Sequence, residues 1–192
     1  EVVTRQALTE LIRPVLHVNK VDRAITELQL EPEELYQQLD SIVNSVNTLL
    51  GTYAMEGLGE LILDPRKGNI SFGSGKQGWT FTLPSFASTL SKKTGKPVDK
   101  ILKHLWGNYF YDPAQKKVIR SPVSPKTGQR LTRYICQVLL KPLVTIFKTI
   151  NEGNLDYLFN SILPGIGVSL NSSERDLKGN ELVARVMQQW MP

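Results

Sequence analysis

A tetrapeptide near the start of the chain combines an amide, a lysine and a carboxylate at close spacing. Asn19, Lys20 and Asp22 stand in an Asn-Lys-x-Asp motif that follows a short apolar run. A carboxylate at Asp22 can accept two parallel hydrogen bonds from guanine, and adenine offers no such donor pair on that edge. Asn19 can face the purine and tie neighbouring loops together, and the stem of Lys20 can cover the base. The alternative is an ordinary polar loop between a strand and a helix.

A second small-residue turn supports the first motif. Ser74, Gly75 and Lys76 follow the apolar run at residues 69–72. A turn of this kind lets backbone N–H groups approach the oxygen of the same base closely. Ligand sites of open α/β sheets form at the carboxyl ends of strands, where both motifs are predicted to lie. The pair therefore predicts a guanine site, although glycine-rich turns on their own are common.

Two other runs resemble phosphate and metal motifs, but one lacks required residues and the other stands in the wrong order along the chain. Residues 73–76 resemble the end of a phosphate-binding loop, but that motif needs Gly at position 70 and Ser or Thr at 77, where Ile and Gln stand. Residues 176–179 fit a D-x-x-G pattern but follow the base-reading motif instead of preceding it. We therefore predict no catalytic residue and no metal ligand in this chain, and no machinery for phosphoryl transfer.

Composition limits the class of protein. The chain is 41% hydrophobic and 21% charged, which is typical of an ordinary soluble globular protein, and no apolar run is long enough to cross a membrane. Cys136 is the only cysteine, so a disulfide framework and a cysteine-rich zinc site are excluded. A reducing compartment such as the cytosol is favoured.

The charge is distributed unevenly along the chain. Residues 1–63 contain 4 Lys/Arg and 10 Asp/Glu, for a net charge of −6, whereas residues 64–133 contain 14 and 3, for +11. A basic block of this size can meet an anionic partner, either RNA phosphate or an acidic protein tail. The alternative is a lysine-rich face that is only solvated.

The predicted elements alternate between helix and strand. Helical spacing of apolar residues predicts helices at residues 3–13, 32–50, 84–93, 98–106 and 180–190. Short apolar runs predict a strand at 14–18, buried on both faces of a parallel sheet, two strands at 61–63 and 69–72, and a hairpin at 108–119. Glycine-rich loops are predicted at 51–59 and around 164–167, a linker at 121–128, and a long apolar segment ending near Ile150. This order indicates an α/β core, with residues 83–175 as a separate α+β unit.

With these motifs in order, the chain resembles the elongation factor 2 family of translational GTPases, found in eukaryotes and archaea. The resemblance spans essentially the whole chain. It lies mainly in residues 14–24, 27–36, 72–83, 105–110, 112–113 and 186–192.

The resemblance implies a fold and a division of the chain. Residues 1–82 and 176–192 would form the C-terminal part of a P-loop GTPase domain, a parallel sheet with flanking helices, and residues 83–175 its inserted α+β subdomain. Asn19, Lys20 and Asp22 would belong to the guanine-specificity motif. Ser74, Gly75 and Lys76 would form the final nucleotide-binding motif; the family usually has Ser-Gly-Leu there, so Lys76 departs from the pattern while backbone contacts survive the change.

The resemblance also implies an activity for a longer parent protein. That parent would hydrolyse GTP to drive tRNA and mRNA through the ribosome in the cytoplasm. Its partners would include the acidic stalk proteins and rRNA. The phosphate loop, switch regions, catalytic histidine and magnesium ligands would lie upstream of Glu1, and later domains beyond Pro192. We therefore expect this chain alone to be inactive and to bind GTP or GDP weakly or not at all.

Two alternatives stay open at this point. Spliceosomal and ribosome-assembly GTPases share the layout, although residues 31–36 and the Gly-Trp pair at 78–79 look more like the translation factor. In the second alternative, the chain is a non-catalytic module that binds ribosomal stalk proteins or rRNA through its basic block.

Overall fold

A three-stranded sheet forms the centre of the computed structural model, which describes residues 2–53 and 61–191. The strands are β1 (Leu16–Val18), β2 (Ile70–Ser74) and β3 (Trp79–Phe81), in the order β1-β2-β3. β1 runs parallel to β2, with Leu16 opposite Ile70 and Val18 opposite Phe72. β3 returns antiparallel to β2. The described residues therefore have a mixed α/β fold.

Three helices belong to the first part of the chain: α1 (Val2–Thr9), α2 (Val21–Thr26) and α3 (Pro32–Thr52). α3 begins with Pro32 in its first turn and a capping box between Glu31 and Glu34. Apolar residues at steps of three and four bury one face of this helix, so the predicted helix is confirmed. It runs through Gly51 instead of stopping before it.

The second half of the chain is mostly helical. Its elements are α4 (Leu83–Thr94), α5 (Val98–Leu102), a hairpin of β4 (Phe110–Asp112) and β5 (Lys117–Ile119), a π-helix (Cys136–Leu140), α6 (Lys141–Asn151), α7 (Leu155–Tyr157), a second π-helix (Leu158–Ile162), α8 (Leu163–Ile166), α9 (Ser172–Arg175) and α10 (Gly179–Trp190). The predicted hairpin and last helix are confirmed. The loop predicted around 164–167 is instead partly helical, because the second π-helix continues directly into α8, which is capped by Gly167 with a left-handed φ of 81°.

The strand predicted at residues 61–63 is absent. The backbone N–H of Leu63 donates to the side chain of Asn47 on α3, and the Leu63 carbonyl accepts from the same amide, both at 2.8 Å. Since one side chain satisfies both backbone groups, the segment needs no partner strand. Most of the loop predicted at 51–59 lies outside the described residues.

The prediction that β1 is buried on both faces was wrong. Val18 is buried, but His17 on the opposite face is exposed. The ring Nδ1 of His17 lies 2.8 Å from the hydroxyl of Ser71 on β2. This face of the sheet is therefore polar at β1, because successive side chains of a strand point to opposite sides.

One hydrophobic cluster joins the two halves of the chain. The ring of Phe72 stacks on Trp106 with centroids 5.7 Å apart, and the edge of Trp79 meets Phe147 at 6.2 Å. Aromatic contacts of this kind add to the energy of area burial. Residues 83–175 therefore pack directly on the sheet, and their division into a separate subdomain stays a prediction.

A buried arginine connects α3 to the segments that cover it. Arg133 is only 6% exposed; its guanidinium contacts Glu33 at 3.0 Å and donates to the Gly107 carbonyl at 2.6 Å. It also lies over the ring of Tyr36, 4.2 Å from the centroid. Burial raises the pKa of Glu33, but the hydrogen bonds from Arg133 and Gln37 outweigh it and hold that pKa below its usual value.

The longest helix gives no sign of a membrane span. α3 has 21 residues, but polar and charged side chains recur along it. Across residues 2–53 and 61–191, no helix combines the length and the apolar character that crossing a bilayer requires.

Replacing Arg133 with methionine should destabilise the fold by about 2–4 kcal/mol, because Glu33 and the Gly107 carbonyl lose a charged partner. Half-exposed Glu33 can regain water, which keeps the cost below that of a fully buried pair. Urea unfolding monitored by tryptophan fluorescence measures the loss. The matched control is Arg130→Met, at an exposed arginine three residues away.

The stability lost in Arg133→Met should also depend on pH. Folding lowers the pKa of Glu33. The Glu33–Arg133 ion pair therefore stabilises the fold fully at a pH above the pKa of an unfolded glutamate, about 4.3, and its contribution is lost as the pH falls through the pKa of folded Glu33. The difference in the free energy of unfolding between wild type and Arg133→Met should therefore become smaller at acidic pH. If Arg133→Met loses no more free energy of unfolding at neutral pH than the control Arg130→Met, Arg133 does not stabilise the fold as described.

Candidate functional site

The parallel pairing of β1 and β2 brings two loops to the same end of the sheet. β1 ends at Val18, opposite Phe72, and Asn19 follows it directly. β2 ends two residues further on, at Ser74, and a tight turn leads into β3. We call the two loops, with the strand and helix ends beside them, the base-reading loops, after the role that the sequence predicts for their six residues: Asn19, Lys20, Asp22, Ser74, Gly75 and Lys76.

The side chain of Asn19 joins the two loops. Its Oδ1 accepts a hydrogen bond from the backbone N–H of Gly75 at 2.9 Å, across 56 positions of sequence. The same oxygen accepts from the N–H of Lys20 at 2.7 Å. The amide group is exposed, so its NH₂ end stays accessible at the surface between the loops.

Lys20 turns the chain from β1 into α2. Its φ of 64° is in the left-handed region, which is unusual for a residue with a side chain. Strain of this kind costs of order 1–3 kcal/mol and is found most often at functional sites. The hydrogen bond from Lys20 N–H to Asn19 helps to hold this conformation.

Asp22 lies in the first turn of α2 with one carboxylate oxygen unused. The residue is 7% exposed, and its Oδ1 is shielded from solvent without a hydrogen-bond partner among the described residues. Leaving a buried polar atom unpaired is costly, so such atoms call for an explanation. A donor on a bound ligand supplies one once the groups that now shield this oxygen move aside, and a guanine edge offers two donors.

The second loop is a tight turn at residues 75–78, between β2 and β3. Ser74 is buried and its hydroxyl accepts from the N–H of Gln77 at 3.2 Å, while Gly75 and Lys76 are exposed. β2 and β3 lie close together at Gly73, where an added Cβ would lie 2.3 Å from the Trp79 carbonyl oxygen. Only glycine fits at position 73, a requirement that sequence reasoning did not identify.

Three cations act on the carboxylate of Glu27, close to the base-reading loops. Arg23 lowers the pKa of Glu27 mainly by a hydrogen bond; burial opposes this, and the charges of Arg23, Lys76 and Lys20 lower it further. Lys76 and Lys20 come from different loops but act on the same carboxylate. The structure thus brings their ammonium groups into one neighbourhood, where they can meet an anionic ligand.

Sequence reasoning also missed Gln77, which it considered only as a mismatch to a phosphate loop. Gln77 is buried; its Oε1 accepts from the indole N–H of Trp79 at 2.8 Å, and its Nε2 donates to Asn180 on α10 at 2.9 Å. These contacts join the turn after β2 to the last helix. No local pattern signals the contact with Asn180, because that partner lies 103 positions away in the sequence.

The D-x-x-G run does not follow a strand. Residues 176–179 connect α9 to α10, so they follow a helix instead of a strand. Within the described part of the chain, no group of three or more His, Cys, Asp and Glu side chains lies together in a way that could hold a metal ion.

No protein-family model matches the chain. The contacts between the base-reading loops are therefore the main support for a function.

Replacing Asn19 with alanine should loosen the link between the loops. The N–H groups of Gly75 and Lys20 lose their acceptor, so their amide exchange should speed up, and the fold should lose about 0.5–1.5 kcal/mol. Hydrogen exchange followed by NMR measures the first effect, and urea unfolding the second. Asn160→Ala, at an exposed asparagine on the second π-helix, is the control. Unchanged exchange at Gly75 would contradict the contact.

Proposed function

We propose that this chain recognises the guanine base of GTP or GDP through the base-reading loops. The observation that carries the proposal is the buried Oδ1 of Asp22, which has no hydrogen-bond partner within residues 2–53 and 61–191, next to a loop that Asn19 ties to Gly75. Both loops follow neighbouring parallel strands, which is the usual position of a ligand site in an α/β sheet.

Each residue has a chemical role in this proposal. The Asp22 carboxylate accepts from the ring N–H and the exocyclic amino group of guanine, which adenine cannot replace. Backbone N–H groups of the turn that contains Gly75 meet the base oxygen. The stem of Lys20, which is exposed, lies across the base.

A wider proposal follows from the resemblance of the chain to elongation factor 2. In it, the described sheet is the C-terminal part of a P-loop GTPase domain in a translational GTPase. The whole protein hydrolyses GTP with magnesium and promotes movement of tRNA and mRNA on the ribosome in the cytoplasm. A spliceosomal or ribosome-assembly GTPase is the alternative within the same class. The mixed α/β fold and the parallel β1–β2 pair are compatible with both.

GMP at millimolar concentration should shift the backbone NMR signals of both base-reading loops, and AMP should not. Asp22→Asn should weaken GMP binding about tenfold or more, because the loss of charge-assisted bonds costs more than 1.4 kcal/mol. The same variant should gain affinity for XMP, whose edge presents an oxygen where guanine has its amino group. Two-dimensional NMR titrations with the three nucleotides measure these changes.

The control for this substitution is Asp99→Asn, at an exposed position on α5. Equal shifts with GMP and AMP, or shifts outside the two loops only, would contradict guanine recognition. A titration of fluorescent GDP that gave micromolar or tighter binding would contradict the expectation that most phosphate contacts are missing from this chain.

A second candidate function uses the basic block instead of the base-reading loops. The exposed basic side chains of this block lie mainly on α4, on α5 and on the segments beside them and around the hairpin: Lys92, Lys93, Lys96, Lys100, Lys103, Lys116, Lys117, Arg120, Lys126 and Arg130, with Lys67 and Lys76 before them in the sequence. Such a surface fits an acidic peptide, for example a ribosomal stalk tail, or rRNA. In this candidate the chain is a binding module with no catalytic part.

Binding of an acidic stalk peptide should weaken by about tenfold between low and moderate salt, because exposed charges are screened beyond a Debye length of ~10 Å at 0.1 M. Fluorescence anisotropy over a salt series measures this. The control peptide carries glutamine in place of each acidic residue. An affinity that does not change with ionic strength would exclude charge-driven docking.

A further inference from the structure

The side chain of Gln77 connects the start of α10 to the turn between β2 and β3. It is 7% exposed and uses both ends of its amide: Oε1 accepts from Trp79 and Nε2 donates to Asn180. Asn180 itself is exposed, in the first turn of α10. A buried amide that lost one of these partners would carry an unsatisfied polar group, so the turn and the helix favour positions in which both bonds form.

The connection continues into the base-reading loops. The backbone N–H of Gln77 donates to Ser74 at 3.2 Å, which sets the shape of the turn. The N–H of Gly75, between these two residues, donates to Asn19 at 2.9 Å. A path of hydrogen bonds and one tight turn thus runs from Asn180 to Asn19. Each step is a direct contact.

α10 is well placed to act on this path as a unit. Its apolar face is buried through Leu182, Val183, Val186 and Met187. At its far end the ring of Trp190 meets Phe86 of α4 edge to face, with centroids 6.1 Å apart. A helix packed along its length shifts as a rigid body, so a change anywhere in its seating reaches Asn180.

We propose that Asn180 and Gln77 position the turn that carries Gly75, so that the seating of α10 sets the affinity of the base-reading loops for guanine. The inference rests on the proposed function of those loops. Asn180 and Gln77 act as positioning residues here, because neither is one of the groups assigned to the base. A partner that displaced α10 would therefore weaken guanine binding.

The test compares two substitutions at Asn180. Asn180→Ala removes the acceptor for Gln77, and we expect amide exchange of Gly75 to speed up and GMP affinity to fall, each about threefold to tenfold. Asn180→Asp keeps an acceptor oxygen for the Gln77 Nε2 and should behave like wild type. Gln189→Ala is the control, since that amide on the same helix donates to Glu174 instead. NMR exchange and GMP titration provide the two readouts.

The outcomes separate this inference from the proposed function. Unchanged exchange at Gly75 in Asn180→Ala overturns the positioning role, as does an equal loss in Asn180→Asp. If the wild-type chain does not distinguish GMP from AMP, the proposed function fails. Amide exchange of Gly75 then decides alone whether Asn180 positions the turn. Faster exchange in Asn180→Ala but not in Asn180→Asp supports the positioning role, and unchanged exchange in Asn180→Ala overturns it. If exchange speeds up without a fall in GMP affinity, α10 does not set that affinity.

Discussion

The parallel pairing of β1 with β2 is the interaction on which the candidate site depends. The register sets Val18 opposite Phe72, and the Leu16 N–H donates to the Asn69 carbonyl at 3.0 Å. A slip of one residue would turn Val18 out of the core, since side chains alternate along a strand. The same slip would carry Asn19 away from Gly75. Burial of one apolar face thus fixes the position of a polar contact at the end of the sheet.

That pairing is held in turn by segments far away in the sequence. Phe72 packs on Trp106, Trp79 on Phe147, and Arg133 joins α3 to the loop at Gly107. The sheet has only three short strands among the described residues, so helices supply most of its cover. The chain therefore depends on aromatic packing and one buried guanidinium to keep a small sheet in register.

The sequence predicted the elements with a clear local pattern. α3 has apolar residues at helical spacing and a proline at its start, and the Asn-Lys-x-Asp motif follows a strand, so both could be located from residue types alone. The missing strand at 61–63 and the role of Gln77 could not be predicted. In both cases a side-chain amide satisfies a group distant in sequence, Asn47 for Leu63 and Gln77 for Asn180. Such bonds depend on the folded arrangement and leave no periodic signal.

The turn after β2 combines two positions with opposite tolerance for change. Gly73 has no room for a side chain, because a Cβ there would collide with the backbone of β3. Lys76, three residues later, points its side chain into solvent. A substitution at position 76 can therefore change the charge of the turn without moving the backbone, whereas any side chain at position 73 would push β2 away from β3.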